Sequence, residues 1–274
     1  MELNCPERNA ELTRDSDLPR DRFGRPLVPD DILERMKRVT TEEAWGVLMG
    51  HEFRLQYEGG WMNLHPERIL VGRAVTCRYV PQRPDLHALV EEEGKQKERV
   101  GGQNSWVIDT LEENDVLVVE LFGKIERGTF IGDNLGTAIA TRTGGTGLVV
   151  DGSIRDAQRV AQLPMNVFCR DVHPTAIGDV TLAEINGPVR IGEATVMPGD
   201  VVLGTPSGIV FVPPKLAAEV VERSEETRMR DYFGKMRIRE GVYTPGEVDR
   251  AWSEAMTADY DEWKQSVRVE DLEP

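Results

Sequence analysis

GDNLGTAIATRTGGTGLVVDGSIRD, residues 132–156, sets an acid beside a glycine at one end and an adjacent Arg-Asp pair at the other. Between them NLGTAIATR has the length of a helix and is rich in small residues, GG breaks it, and GLVVDG is apolar enough for a strand buried on both faces. A helix leading into such a strand indicates layered α/β architecture. In these layers ligands gather where polar residues leave the carboxyl ends of the strands, and DGSIRD sits at such an end.

Outward from this unit the pattern continues. DVLVVELFG (115–123) is a second buried strand, ILVGRAVTCRYV (69–80) is β-rich, and DLHALVEEEGKQKERV is helical. After Asp156 come a short helix, AQRVAQL, and a strand, MNVFCR. From 177 to 212 short strands are cut by NGP, MPGD and TPSG turns, which predicts a small antiparallel or barrel-like sheet. Residues 213–240 read as a long helix with Pro at its start and Gly241 as its stop, and another helix follows Pro245. Upstream, DDILERMKRVTTEEAWGVLMG reads as two short helices, the second opened by a capping box of Thr40 and Glu43. With no repeat, low-complexity tract or Ser/Gly linker, the expected organisation is an N-terminal arm (1–29) lying over the surface or a neighbour, one domain (30–241), and a C-terminal helical extension (242–274).

Composition bounds the function. A chain of 274 residues that is 39% apolar can build a large core, and no stretch approaches the roughly 18 apolar residues of a membrane span. The charged N-terminus does not resemble a signal peptide, so a soluble, cytoplasmic protein is expected. A net charge of −15 repels phosphate backbones and anionic lipid, which disfavours direct nucleic-acid or membrane binding. The last 29 residues, from Gly246, hold nine acids against three bases, as expected for a solvated helical arm with a frayed tail or for a surface that docks a basic partner. Cys5, Cys77 and Cys169 lack metal-ligand spacing and read as buried or reduced thiols.

The chemistry-bearing residues converge on the opening stretch. A carboxylate that binds a cation (Asp156) beside a guanidinium that binds an anion (Arg155) suits a metal together with an α-keto carboxylate; the plainer reading is a surface ion pair. Asp133, opening a helix, either complements the helix dipole or orients a metal-bound water. Other candidates are weaker. GGTG (144–147) lacks a phosphate-loop signature and reads as a helix stop. His51, His65, His87 and His173 are scattered, and His173, Arg170 and Asp171 serve loop packing or line a pocket. The five tryptophans read as packing residues.

From about residue 31 to 240, GDNLGTAIATR, GLVVDGSIRD, NVFCRDVHPTAIGD, VMPGDVVLG and GIVFVPPKLAAEV resemble, in this order, the family of 4-hydroxy-4-methyl-2-oxoglutarate aldolases and the regulator of ribonuclease activity A. The resemblance implies a three-layer β/β/α sandwich of the swivelling-domain type, here with helical N- and C-terminal extensions, assembled as a homotrimer or homohexamer with sites at subunit interfaces. It implies Mg²⁺ or Mn²⁺ as cofactor and a 2-oxo acid as substrate. By resemblance Asp156 is the direct metal ligand, Asp133 acts through a water, Arg155 grips the substrate carboxylate and keto oxygen, and amides around Asn134, Leu135, Gly136 and Thr137 receive the oxyanion. A further acid from a neighbouring subunit would be Asp231 or Glu226. The 21 residues between Asp133 and Arg155 are one more than the family spacing, and the glycines of RTGGTG can absorb the extra one; a shifted helix would instead place Asn134 at the Asp133 position. GTPSG (204–208) replaces residues that are often acidic in the family. The implied activity is metal-dependent cleavage of a 4-hydroxy-2-oxo acid to pyruvate and a second carbonyl product, with oxaloacetate decarboxylation beside it. The alternatives are a non-catalytic regulator that binds a protein such as a ribonuclease, and a Schiff-base aldolase for which Lys124 is the best-placed lysine.

Overall fold

The computed structural model describes residues 2–272. The chain opens with α1 (Pro6–Leu12), then α2 (Asp30–Met36) and α3 (Thr41–Gly50). The Thr40 hydroxyl accepts from the Glu43 amide while the Glu43 carboxylate accepts from the Thr40 amide, the reciprocal capping box expected there. Two short strands follow, β1 (Tyr57–Glu58) and β2 (Met62–Asn63), then β3 (Leu70–Pro81), α4 (Pro84–Gln96) and α5 (Gln103–Ile108). The central unit is β4 (Asp115–Thr129), α6 (Asp133–Thr143), β5 (Gly147–Ile154), α7 (Ala157–Val160) and β6 (Asn166–Val172). Five strands come next: β7 (Val180–Ile185), β8 (Val189–Ile191), β9 (Ala194–Val196), β10 (Val201–Thr205) and β11 (Gly208–Val212). The long α8 (Ala217–Arg239), α9 (Pro245–Val248) and α10 (Glu254–Lys264) complete the chain.

The main sheet runs β1-β11-β10-β3-β4-β5-β6-β2, with β7 pairing beside β3, and β3 through β6 are parallel. Its two margins, β1 and β2, are only three residues apart in sequence. Eight flat strands would separate those margins by about 34 Å, whereas the Gly59-Gly60-Trp61 link reaches about 14 Å at full extension. The sheet therefore curls back on itself. Contacts across the interior show the closure: a Cβ added to Gly204 on β10 would lie 2.9 Å from the Phe168 ring on β6, four places away in the strand order.

Side-chain alternation divides the core accordingly. Val116 and Val118 of β4, with Ala74, Val149, Phe168, Val202 and Phe211, point into the curled interior, where the β8–β9 hairpin packs. Leu117 and Val119 point outward with Leu148, Val150, Val167 and Cys169, and are covered by α4, α5 and α6. This is the β/β/α layering. A further helical layer, α2, α3 and α8, covers the outer face of β10 and β11.

Three expectations change here. The 177–212 segment does not form its own sheet: β7, β10 and β11 join the main sheet, and only β8 and β9 pair separately. The C-terminal extension is not simply a solvated arm, because Met256 and Tyr260 of α10 bury against Met229 and Phe233 of α8, with Trp252 and Trp263 around them. The N-terminal segment also penetrates the protein. Leu3 is 1% exposed, its amide donates to Glu93 Oε1 at 3.0 Å, and Arg25 forms a two-pronged buried ion pair with Asp115 at 3.0 Å.

All three cysteines are free, and burial pushes the Cys169 thiol up to about 12, which keeps it protonated. Among the described residues no helix is long and apolar enough to cross a membrane.

Candidate active site at the carboxyl end of the parallel strands

Every residue of β5 is buried, and the strand delivers Arg155 and Asp156 to its carboxyl end. The Arg155 amide donates to the Ile131 carbonyl at 2.9 Å, which ties this end to the segment that enters α6. Asp156 then turns left-handed, with φ 55° and ψ 33°, a conformation Asp tolerates better than most residues. Its carbonyl accepts from Arg159 and Val160 and starts α7.

The start of α6 meets the same point. Gly132 is the N-cap, in an extended conformation open to any residue, so backbone freedom does not explain the glycine. Space does. A Cβ there would fall 2.5 Å from Asp156 Oδ2 and 3.1 Å from Arg155 Nε. The helix N-terminus, the carboxylate and the guanidinium are therefore in direct contact only because position 132 has no side chain.

Asp133 opens the helix. Its Oδ1 accepts from the Asn134 amide at 3.0 Å and its Oδ2 lies 3.2 Å from Arg159 Nη1. Arg155 reaches the Asp156 carboxylate only at 3.7 Å through Nε, so the terminal nitrogens of its half-exposed side chain remain available for an outside anion. A cavity of about 80 Å³ adjoins them, lined by Gly132, Asn134, Leu135 and Arg155 together with Asn104 and Ile177. It is sized for one end of a small molecule.

The four consecutive residues proposed as an oxyanion cradle divide. The Gly136 amide is consumed by the Gly132 carbonyl at 2.9 Å, and Gly136 itself is packed against Leu163 and Met165. Thr137 lies a full turn into the helix, with its hydroxyl bonded to the Asp133 carbonyl. The Asn134 amide already has the neighbouring carboxylate, which leaves Leu135 as the open donor among these four. Asp133 is the first helical residue, and Gly144 and Gly145, at φ 69° and 92°, make the helix stop.

Asp231 and Glu226 lie exposed on α8, which packs on α2 and α3; Asp231 approaches Lys235 at 3.9 Å, and neither acid bonds to the site residues within the chain. Arg170 is held by Asp151 and Glu58 at 2.7 and 2.8 Å and stacks on Trp61, so it serves structure. His173 bonds Thr175 within its loop. Lys124 sits half-buried in the irregular part of β4. Three contributors were not legible from local sequence: Asn104, whose amide holds the Phe130 carbonyl at 2.9 Å, Ile177, and Arg159 beside Asp133. Only Arg159 had a signal, being three residues past Asp156 on the same short helix.

Among the described residues no three His, Cys, Asp or Glu side chains converge as a metal cage. Two carboxylates at one helix terminus, Asp156 seated in the space that glycine leaves, still fit Mg²⁺ or Mn²⁺, since such ions use one or two carboxylates and fill the remaining positions with water or substrate oxygen.

The profile of the RraA-like family (Aldolase/RraA) matches residues 43–211, more than half of the chain. The chain belongs to the RraA-like family. A candidate 4-hydroxy-4-methyl-2-oxoglutarate aldolase of Laribacter hongkongensis is 35% identical over 121 residues, 43% of this chain and 75% of its own length. One from Halalkalibacterium halodurans is 27% identical over 144 residues, 52% of this chain and 68% of its own. Among solved structures, Streptomyces coelicolor RraAS2, described as an unusual member of the RNase ES inhibitor RraA family, superposes with a TM-score of 0.65 at 28% identity, covering 78% of this chain and 98% of its own. The RraA-like match includes α6, β5 and the Arg155-Asp156 pair.

Proposed function

We propose that this RraA-like protein is a divalent-metal-dependent carbon–carbon lyase that cleaves a 4-hydroxy-2-oxo acid to pyruvate and a second carbonyl compound. The observation that carries the reading is the contact of Asp156, Arg155 and the α6 N-terminus across Gly132. The names of relatives at about 30% identity favour the same reaction class.

Asp156 and Asp133 are the residues that would hold the ion, Mg²⁺ or Mn²⁺. When bound, it supplies a Lewis acid toward the substrate keto oxygen. The Arg155 fork binds the 2-oxo carboxylate, and its charge stabilises the negative charge that develops on the adjoining keto oxygen. The Leu135 amide and the positive end of α6 act in the same direction. In the cleavage the C4 hydroxyl gives up its proton to a base, the C3–C4 bond breaks, and its electron pair passes into the pyruvate enolate, which is then protonated at C3. Oxaloacetate loses carbon dioxide through the same enolate, so pyruvate release from oxaloacetate accompanies the main reaction. The 80 Å³ cavity accepts the pyruvate end, and in a trimer or pair of trimers a neighbouring subunit would close its open side.

The test is purified protein with Mn²⁺ and a series of 4-hydroxy-2-oxo acids and oxaloacetate. Pyruvate release, with Mn²⁺-dependent thermal stabilisation that Asp156→Ala abolishes, is expected. Failure of every substrate together with metal-independent stability would instead leave the regulatory role that the likeness to the RraAS2 structure suggests.

A further inference from the structure

A second charged pocket lies on the other helical layer, between the α2–α3 turn and α8, with a volume of about 310 Å³. Four cations, Arg38, Arg228, Lys235 and Arg239, line it against two acids, Glu43 and Asp231, in a protein whose net charge is −15. Arg228, Lys235 and Arg239 are spaced by seven and four residues and form one stripe of α8. We infer that this pocket binds a small multivalent oxyanion, of the class shared by phosphates and dicarboxylates.

The argument rests on what the cations lack. Arg228 is 8% exposed, yet no carboxylate bonds it: Nη2 donates to the Arg38 carbonyl at 2.6 Å and reaches Ser224 Oγ at 3.4 Å, while Nε and Nη1 have no acceptor among the described residues. A guanidinium this little exposed is ordinarily bonded to a carboxylate, and here none is. The nearby acids are engaged elsewhere. Glu43 accepts from the Thr40 amide and the Ser224 hydroxyl, and Glu225 is held in two-pronged fashion by Arg35 at 2.7 and 2.8 Å. Arg239 has no ion-pair partner among the described residues, and Lys235 meets Asp231 only at 3.9 Å. Arg38 is itself committed, donating to the Leu272 carbonyl, and contributes charge alone. Burial first, and then the Arg38 charge, lower the Arg228 pKa from its usual value, with Glu43 and Glu225 opposing the shift from a distance; a bound anion would oppose it further. Two or three guanidinium and ammonium donors around a cavity of this size match an ion with several oxygens.

Inorganic phosphate and malonate, titrated calorimetrically at constant ionic strength against sodium chloride, distinguish the two ligand types. The full chain carrying Arg155→Ala is used, so that the guanidinium at the strand end does not contribute. Saturable binding of at least one ion, one per chain, is expected. The double variant Lys235→Ala/Arg239→Ala, altered only at exposed positions, should bind about tenfold or more weaker, and Asp231→Asn should bind tighter. Heat indistinguishable from the chloride reference, or undiminished affinity in the double variant, overturns the inference. Because neither readout involves pyruvate chemistry or a metal, this result stands apart from the lyase reading.

Discussion

Gly132→Ala separates the geometry of the site from the stability of the fold. The backbone at position 132 is extended, so alanine adds no torsional strain, and the conflict is confined to the new methyl group. That carbon would stand 2.5 Å from Asp156 Oδ2 and 3.1 Å from Arg155 Nε. An ordinary contact needs about 3.4 Å or more, so the carboxylate must retreat by about 0.9 Å and the guanidinium by a few tenths of an ångström. Both side chains are more than one third exposed and can move toward solvent. The cost in folding is therefore small, about 0.5 kcal/mol or less. The cost in catalysis is not, because displacements near 1 Å at a reacting centre are worth about a hundredfold in rate. With pyruvate release under saturating Mn²⁺ as the assay, kcat/KM should fall about a hundredfold while urea denaturation is nearly unchanged. A variant with wild-type kcat/KM would refute the claim that this contact organises the site.

Asp200 supplies a pH-dependent test. Burial lifts its carboxyl to about 8, against one opposing hydrogen bond from the Met197 amide. Between the ordinary aspartate value and pH 8 the folded chain keeps a proton that the unfolded chain has released, so this group makes stability fall as pH rises through that window. The stability of Asp200→Asn relative to wild type should accordingly grow from pH 4 to pH 8; a constant difference would mean that Asp200 is ionised throughout. Removing one partner of the buried Arg25–Asp115 pair by Asp115→Ala should cost about 3–5 kcal/mol in chemical denaturation. A loss below about 1 kcal/mol would show that Asp21 alone supports the guanidinium. Borohydride reduction in the presence of pyruvate should leave the protein mass unchanged, and an adduct on Lys124 would replace the metal reading with Schiff-base chemistry.

What the sequence disclosed follows the range of the forces concerned. The strands around Val118 and Val149, the Thr40–Glu43 cap and the glycine stop after α6 are set by side chains a few residues apart, and periodicity finds them. The placement of Asp133 and Arg155 at facing ends of a helix and strand was legible for the same reason. Pairing between distant segments was not. Nothing local to Val201 or Val180 states that β10 and β7 both pair with β3, or that Leu3 enters the core beside Ile185. Asn104 was invisible because its role depends on a single carbonyl 26 residues away. For the stretch Asn134 to Thr137, resemblance names a length of chain, whereas helical hydrogen bonding, as at the Gly136 amide, decides which of its amides remain free.

The Gly59-Gly60-Trp61 link has a consequence for assembly. It places both sheet margins under two-residue strands, too brief to template another chain. Along those two margins a neighbouring copy thus has little ladder to extend, and recognition there falls to side chains on helices and loops, where charge and shape can discriminate a correct partner from an arbitrary β-rich one.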